Sequence, residues 1–138
     1  VSKAMAKDYY GSVFDLTQSI ELNPDNYEAH RIRGFAKDNI GDTRGAIADY
    51  TKAIELEPTD VFAYMNRGIG KNYLEDYSGA IADYNKAIEL DPNYADLYSN
   101  RGISKENIGD LKGACDDWRK AASLGDEDAF QWVKDQCD

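Results

Sequence analysis

The apolar side chains between residues 45 and 58 recur with the period of an α-helix. This stretch reads GAIADYTKAIELEP, and it returns at 79–92 as GAIADYNKAIELDP with only two letters changed. The apolar positions of the first copy lie at i, i+1, i+4, i+7 and i+8, so they form a stripe along one helical face. These positions are Ala46, Ile47, Tyr50, Ala53 and Ile54. The pattern therefore predicts the same amphipathic helix at two places in the chain.

The repetition extends through the chain with a period of 34 residues, which is the spacing from Pro24 to Pro58 and from Pro58 to Pro92. Other residue types recur in columns with the same spacing. They are Asp8, Asp42, Asp76 and Asp110; Gly11, Gly45, Gly79 and Gly113; Asp15, Asp49, Asp83 and Asp117; and Lys3, Lys37, Lys71 and Lys105. A fixed period of this length is typical of repeat architectures.

Each repeat is predicted to be a pair of helices. The first helices are expected over 27–40, 61–74 and 95–108, and the second helices over 43–56, 77–90 and 111–124. Gly41-Asp42 and Gly109-Asp110 supply a glycine that can end one helix and an aspartate that can cap the next. A proline after a second helix prevents its continuation.

These columns resemble the tetratricopeptide repeat family, whose pattern combines aromatic, glycine and alanine positions with a closing proline. The residues that carry the resemblance are His30, Tyr64 and Tyr98; Gly34, Gly68 and Gly102; Ala46, Tyr50, Ala53 and Pro58; Ala80, Tyr84, Ala87 and Pro92; and Ala114, Trp118 and Ala121. The resemblance implies an all-α fold, a right-handed superhelical solenoid of antiparallel helix pairs. Small residues such as Gly45 and Ala46 are expected where two helices approach closely.

The chain departs from the family pattern at two positions of each first helix. Arginine replaces the usual leucine at Arg33, Arg67 and Arg101, and lysine follows four residues later. Because the second helices carry the aspartate column, we expect an ion-pair ladder from arginine to aspartate between helices. Solvated charges without a fixed partner and a functional basic stripe are the two alternatives.

The repeats divide the chain into a partial repeat at 1–24, full repeats at 25–58, 59–92 and 93–126, and a capping helix at 127–138. In the partial repeat, residues 1–8 match the end of a first helix and residues 9–22 match a second helix. Because a terminal repeat needs a polar cap, we expect either that the natural protein extends upstream or that two copies pair there.

The C-terminal helix is expected to lie on the third repeat through Phe130, Trp132 and Val133. Cys115 and Cys137 lie at comparable distances from the turn between this helix and the one before it. We favour two free, buried thiols. A disulfide is the alternative, and it requires Cα atoms within about 7 Å of each other.

Charge and composition narrow the classes of partner. The chain has 138 residues, a formal net charge of -10 and a pI of about 4.5, so it should repel phosphate backbones and anionic lipid surfaces. We therefore expect no nucleic-acid binding, and we expect no membrane insertion because no apolar run approaches the ~20 residues that a span needs. We expect a soluble protein; no basic and apolar leader is visible at the start, but the compartment stays open. The wording of the repeats resembles that of bacterial tetratricopeptide proteins, so the bacterial cytoplasm is preferred and the periplasm is the alternative.

The candidate chemistry is sparse. His30, the only histidine, occupies the aromatic column and is expected to pack, because no second ligand lies at metal-binding spacing. The acidic clusters at 75–76, 116–117 and 126–128 are expected to be solvated faces and caps. No catalytic triad or phosphate-binding loop can be assembled, so we predict no enzyme and no cofactor.

The resemblance implies that first helices line a concave surface that binds a protein or peptide. The candidate groove residues are Arg31, Phe35, Asn39, Phe62, Met65, Asn66, Ile69, Asn72, Tyr73, Ser99, Asn100, Ile103 and Asn107. Apolar anchors and amides together suit an extended peptide or a helix. Alternatively, or in addition, Phe35, Ile69 and Ile103 pack between neighbouring first helices.

One subset of the family binds chaperone C-termini through a clamp of Lys, Arg and Asn. Arg31 and Asn66 fall where clamp residues could sit, but Asp96 and Asn100 stand where cations are expected, so we do not expect this ligand. Three hypotheses follow: a protein-interaction module, a self-associating structural array, and a regulatory part of a larger enzyme. The first is preferred.

Overall fold

The computed structural model describes residues 3–138, with side chains from Met5 onward. The helices of this part are α1 (Lys3–Leu22), α2 (Tyr27–Asn39), α3 (Thr43–Leu56), α4 (Val61–Tyr73), α5 (Tyr77–Leu90), α6 (Ala95–Asn107), α7 (Leu111–Ser123) and α8 (Glu127–Gln136). The described residues contain no strand. The helices predicted over the three full repeats are confirmed, each within a residue of its expected end.

An aspartate caps the second helix of each full repeat. Asp42 Oδ1 accepts a hydrogen bond from the backbone nitrogen of Gly45 at 3.0 Å, and Asp76 and Asp110 make the equivalent bonds at 3.1 and 2.9 Å. The residue before the aspartate turns the chain with a positive φ, 86° at Gly41. The predicted turn and cap are therefore confirmed.

The Gly45 column has a different role from the one that its sequence position suggests. A Cβ atom added to Gly45 would collide with the carboxylate of Asp42, its own capping residue. Glycine is thus required beside the cap. The nearest neighbour of Gly45 is therefore its own capping residue.

Helices approach closely at another glycine column. A Cβ on Gly34 of α2 would lie 2.8 Å from Cε1 of Tyr50, a fully buried residue of α3. In α6, a Cβ on Gly102 would likewise collide with the indole of Trp118 on α7. The absence of a side chain therefore lets the large aromatic residue of the second helix pack on the first.

The chain forms two compact units, which end and begin at Gly70 and Lys71 within α4. The N-terminal unit comprises α1, α2, α3 and α4 as far as Gly70. Its core contains residues of α3 and α4 that are fully buried: Ala46, Tyr50, Ala53 and Ala63. Gly70 of α4 also lies close to Ile47 of α3.

The C-terminal unit begins at Lys71 and comprises the end of α4 together with α5, α6, α7 and α8. Its core is built around the nearly fully buried Trp118 of α7. The other buried members are Tyr98, Ala114, Cys115, Ala121 and Ala129. The two units therefore use the same helix-pair plan, with tryptophan in place of tyrosine at one position.

The aromatic column ties two of the first helices, α2 and α6, to the proline turns before them. His30 is buried, and its Nε2 donates to the carbonyl oxygen of Pro24 at 2.8 Å. Tyr98, which occupies the same column, donates its hydroxyl to the carbonyl oxygen of Pro92 at 2.7 Å. The packing role predicted for His30 is confirmed.

The start of the chain differs from the expected partial repeat. Residues 3–22 form one continuous helix, α1, although residues 1–8 are predicted to end a first helix and residues 9–22 to form a second. Lys7 occupies the column of Gly41, Glu75 and Gly109, each of which turns the chain with a positive φ. At Lys7 the helix continues instead. Residues 1 and 2 lie outside the described part.

Cys115 and Cys137 form a disulfide, with Cα atoms 5.7 Å apart. The preferred prediction of two free thiols is therefore wrong. The geometric reason is that α8 folds back on α7 and places both cysteines at similar distances from the turn. Gly125, with φ 104°, makes this turn, and Asp126 caps α8 by accepting from Ala129 N at 3.1 Å.

The C-terminal helix packs on α7 as predicted, but with a different inward face. Trp132 and Val133 contact the core of the C-terminal unit, and the rings of Trp132 and Trp118 lie 5.5 Å apart. Phe130 is instead exposed, with Lys134 Nζ 4.7 Å from the centre of its ring. Because the buried Ala129 shares a face with Trp132 and Val133, Phe130 points away from it.

Candidate functional site

The arginines and lysines of the first helices hold the aspartates of the second helices. Arg33 Nε and Nη2 donate to the two carboxylate oxygens of Asp49 at 2.8 and 2.7 Å. Lys37 Nζ lies 3.1 Å from the same carboxylate. The fork-shaped pairing fixes both side chains, as is typical of arginine with carboxylate.

The same arrangement recurs in the C-terminal unit. Arg101 pairs with Asp117 at 2.8 and 2.6 Å, and Lys105 Nζ lies 3.0 Å from that aspartate. Hydrogen bonding to the aspartate raises the pKa of both Arg33 and Arg101, against the opposing effect of burial. The predicted ladder is confirmed at these pairs, which are therefore neither solvated charges nor a free basic stripe.

Each arginine also reaches the second helix of the preceding repeat, a contact that the sequence argument missed. Arg33 Nη1 donates to Thr17 Oγ1 at 3.2 Å, and Arg67 Nη1 donates to Thr51 Oγ1 at the same distance. Arg101 Nη1 donates to Asn85 Oδ1 at 2.9 Å. The two copies of the repeated phrase hint at this contact, because one has Thr51 where the other has Asn85. Both side chains offer an oxygen that can accept a hydrogen bond from arginine.

An apolar pocket in the N-terminal unit unites five of the predicted binding residues. It lies between α2 and α4 and has a volume of about 430 Å³. Its lining consists of Arg31, Ile32, Phe35, Phe62, Met65 and Asn66. Phe35 and Phe62 are about half exposed, at 51% and 48%, whereas Met65 is buried. The pocket thus presents accessible aromatic surface with an amide beside it.

Arg31 lies at the boundary of this pocket and is already paired. Its Nη1 lies 3.3 Å from Asp60 Oδ1, and its guanidinium stands 5.8 Å from the centre of the Phe62 ring. These two contacts orient the guanidinium along the wall of the pocket. The pairing with Asp60 also weakens the positive potential that Arg31 presents to a ligand.

A second recess of about 320 Å³ adjoins the apolar pocket and shares Arg31 and Phe62 with it. Its remaining lining residues are Tyr27, Glu57, Thr59, Asp60 and Val61. The pKa of the Tyr27 hydroxyl is raised, first by the charge of Glu28, then by burial and by the charges of Glu57 and Asp60. The recess therefore combines aromatic walls with a negative potential. We name it the acidic recess.

Several predicted binding residues have local roles instead. Asn39 Nδ2 donates to the carbonyl oxygen of Phe35 at 2.8 Å, within its own helix. Asn72 Oδ1 accepts from Ser104 at 2.8 Å. Ser99 is buried, and its hydroxyl donates to Asp126. Ile103 is partly buried against the core of the C-terminal unit.

Ile103 thus packs on the core of its own unit and Phe35 contacts α1, so packing between neighbouring first helices stays a prediction. The rings of Phe35 and Tyr9 meet edge to face with centroids 6.3 Å apart, while half of Phe35 stays exposed. Exposed predicted residues are Ile69, Tyr73 and Asn107, and Asn100 is half-buried. Ile69 belongs to the N-terminal unit and the other three to the C-terminal unit.

The described residues contain no group of His, Cys, Asp or Glu placed to hold a metal ion. None of the described helices is long and apolar enough to cross a bilayer.

Two family models match the chain, and both describe the same repeat. A tetratricopeptide repeat model matches residues 29–60, and a TPR repeat model matches residues 72–109. The chain therefore belongs to the tetratricopeptide repeat family. No curated protein matches it in sequence.

Solved structures of the family share the fold. A crystal structure of MamA superposes with a TM-score of 0.85 at 25% identity and covers 89% of this chain and 72% of its own. The first TPR of Spaghetti (RPAP3), bound to the HSP90 peptide SRMEEVD, gives 0.77 at 23% identity, with 80% and 90% covered. The predicted fold class, an all-α tetratricopeptide array, is confirmed.

Family membership defines the chain at the level of class as a protein-interaction scaffold. The tetratricopeptide repeat is typically non-catalytic, and neither matching model describes an enzyme.

Proposed function

We propose that the chain binds an extended peptide or a partner helix on its first helices, with the pocket between α2 and α4 as the main anchor site. The observation that carries this proposal is the apolar pocket, in which the large aromatic side chains of Phe35 and Phe62 stay half exposed beside Asn66. Exposed aromatic surface in a recess favours burial of a ligand side chain.

The chemistry of the pocket suits one apolar anchor residue. Burying an aliphatic or aromatic side chain there stabilises a complex by about 1.5–3 kcal/mol before the costs of association. Asn66 offers an amide that can both donate to and accept from a peptide backbone. The peptide complex of the RPAP3 repeat supports the use of this fold for such a ligand.

The ligand is expected to differ from the acidic peptide of that complex. Arg31, the basic side chain at the pocket, is paired with Asp60, and the whole chain carries a net charge of -10. Asp96 and Asn100 of α6 stand where a carboxylate clamp would need cations. These charges would repel an acidic peptide tail.

A peptide array tests the proposal directly. Octapeptides with one leucine or phenylalanine among small polar residues are to be screened for binding to the wild type and to a Phe35→Ala, Phe62→Ala double variant. We expect the bound peptides to lose at least about tenfold in affinity with the double variant, because both walls of the pocket are removed.

The matched control is Phe130→Ala, which removes an equally exposed phenylalanine from α8. Circular dichroism and urea unfolding are to confirm that all variants stay folded. Equal affinity of the double variant and the wild type would show that the pocket does not anchor these peptides, and the proposal would then fail.

Self-association is the second candidate function, and α1 favours it. Tyr10 and Phe14 are 59% and 63% exposed, whereas the positions 34 residues later hold Arg44 and Ala48. An apolar patch at this place is thus particular to α1. If two copies pair through it, light scattering should show a dimer that Phe14→Ser converts to a monomer. A monomeric wild type at high concentration would eliminate this candidate.

A further inference from the structure

We infer that the acidic recess beside the apolar pocket binds a cationic side chain, so that the preferred peptide carries lysine or arginine near its apolar anchor. This inference rests on the proposed function and specifies the chemistry of its ligand. The recess is formed by Tyr27, Glu57, Thr59, Asp60 and Val61 together with the shared residues Arg31 and Phe62.

Asp60 provides the first argument. Its side chain is only 3% exposed, yet it lines the recess. Oδ1 accepts from Arg31 Nη1 and from the backbone nitrogen of Ala63, both at 3.3 Å. Oδ2 accepts a hydrogen bond from none of the described residues. A buried carboxylate oxygen without a donor is costly, so a donor that reaches it gains more than one at the surface.

The walls of the recess provide the second argument. Tyr27, Val61 and Phe62 offer aromatic and aliphatic surface on the way to the carboxylates. Lysine and arginine combine an apolar stem with a charged end, so the stem can lie on these side chains while the charged end reaches inward. The rings also attract a cation through their faces.

Glu57 provides a second carboxylate at the same recess. Its Oε1 accepts from the Thr59 hydroxyl at 2.6 Å, which holds the side chain in place at the start of the turn. Together, Glu57 and Asp60 outnumber Arg31, the single positive charge in the lining. The charge balance of the recess therefore favours a cation over an anion.

The electrostatic environment of Tyr27 agrees with this balance. Glu28, Glu57 and Asp60 all raise the pKa of its hydroxyl, and Arg31 alone opposes them. The same negative potential attracts a cationic side chain, and the net charge of -10 extends the attraction to longer range.

The two pockets share Arg31 and Phe62, so their occupants must be near one another. One extended peptide can fill both pockets only if its apolar and cationic residues are close in sequence. The partner is therefore a peptide segment with a basic residue a short distance from a leucine, phenylalanine or similar anchor.

The experiment uses fluorescein-labelled octapeptides that share one central leucine and carry lysine, glutamine or glutamate at each neighbouring position in turn. The peptide SRMEEVD serves as an acidic comparison. Binding is measured by fluorescence anisotropy with the wild type, Glu57→Gln and Asp60→Asn. The matched control is Glu55→Gln, which neutralises an exposed glutamate of α3 that is paired with Lys52.

We expect the lysine peptide to bind about two- to fivefold more tightly than the glutamine peptide, and the glutamate peptide to bind more weakly than either. Glu57→Gln and Asp60→Asn should remove most of the preference for lysine, and Glu55→Gln should leave it unchanged. Asparagine is a good N-cap residue, so Asp60→Asn should keep the start of α4 intact. Added salt should reduce the preference.

The possible failures are distinguishable. If the three peptides bind equally through their leucine, the inference is overturned while the proposed function stands. If replacing leucine by glycine leaves the affinity unchanged, the proposed function itself fails. Tighter binding of SRMEEVD than of the lysine peptide would reverse the assignment of charge. A dimer that Asp60→Asn dissolves would make a second copy the occupant and overturn the inference.

Discussion

Tyr50 is a buried tyrosine whose hydroxyl is bound to a carboxylate. The residue is fully buried, and its hydroxyl donates to Asp38 Oδ2 at 2.7 Å. Burial is the largest cause that raises the pKa of Tyr50, and the hydrogen bond to Asp38 adds to it. Burial also raises the pKa of Asp38. Both groups therefore resist ionisation in the folded state.

The raised pKa of Tyr50 predicts a loss of stability at alkaline pH. Tyrosine in the unfolded chain ionises near pH 10, while the folded protein holds the proton to higher pH. The contribution to stability is therefore complete below pH 10 and is lost as the pH rises above it. Tyr50→Phe should lower the free energy of unfolding by about 1–2 kcal/mol at pH 7 and should reduce the further loss above pH 10.

Urea unfolding at a series of pH values checks this prediction, with Tyr73→Phe as the control because Tyr73 is exposed. Lysines also titrate in this range, but they are common to all three proteins. If the wild type and Tyr50→Phe lose stability in parallel above pH 10, the buried hydroxyl is not responsible.

Arg33 makes contacts that lysine cannot reproduce. It binds both oxygens of Asp49 and donates to Thr17, so it connects α2 with α3 and α1. Lysine has one charged nitrogen and no planar fork. Arg33→Lys should therefore lower the free energy of unfolding by about 1–3 kcal/mol. Arg44→Lys, at an exposed position of α3, should change it by less than about 0.5 kcal/mol, and equal effects would contradict a special role for Arg33.

At the scale of elements, two glycines in helices should respond oppositely to alanine. A Cβ on Gly34 would lie 2.8 Å from a ring atom of the fully buried Tyr50, whereas nothing lies within 4 Å of one on Gly11. Gly34→Ala should destabilise the protein by about 1–3 kcal/mol through overpacking. Gly11→Ala should stabilise α1 by about 0.5–1 kcal/mol. Thermal and urea unfolding measure both, and a stabilising Gly34→Ala would show that Tyr50 can move.

The disulfide holds α8 on α7. Cys115 and Cys137 close a loop with a sequence separation of 22, so the bond should stabilise the unit by about 3 kcal/mol. A Cys115→Ser, Cys137→Ser variant should unfold earlier and exchange the amide hydrogens of α8 faster than the wild type. A reductant should reproduce this change in the wild type alone. Unchanged exchange in α8 would mean that packing of Trp132 suffices.

At the scale of the whole molecule, the 34-residue period predicted the helices and their caps because each repeat faces the same neighbours. The sequence did not predict the continuity of α1, since the period alone places a turn at residue 8. It also did not predict which side chains of the first helices turn inward. Met65 and Ser99 occupy a column with Arg31, and only the packing shows that these two are buried.

The same limit applies to the candidate site. Five predicted residues line the apolar pocket, but the acidic recess depends on Tyr27, Glu57 and Asp60, which come from the start of α2 and from the turn between α3 and α4. Their sequence positions show no common spacing with the groove columns. Such a cluster becomes visible only when the backbone brings the segments together.

The net charge of -10 sets two electrostatic effects against each other in the stability of the chain. Repulsion among the excess carboxylates opposes folding, whereas ion pairs favour it. Exposed pairs such as Lys52 with Glu55 and Lys86 with Glu89 contribute little to stability, and buried pairs such as Arg33 with Asp49 are partly shielded from salt.

We therefore expect sodium chloride to raise the midpoint of thermal unfolding at pH 7, because it screens the repulsion more than the buried pairs. The gain should shrink near pH 5, since the net charge falls toward zero as the pH approaches the pI of about 4.5. Differential scanning calorimetry at low and high salt measures both. A midpoint that falls with salt at pH 7 would mean that the ion pairs outweigh the net repulsion.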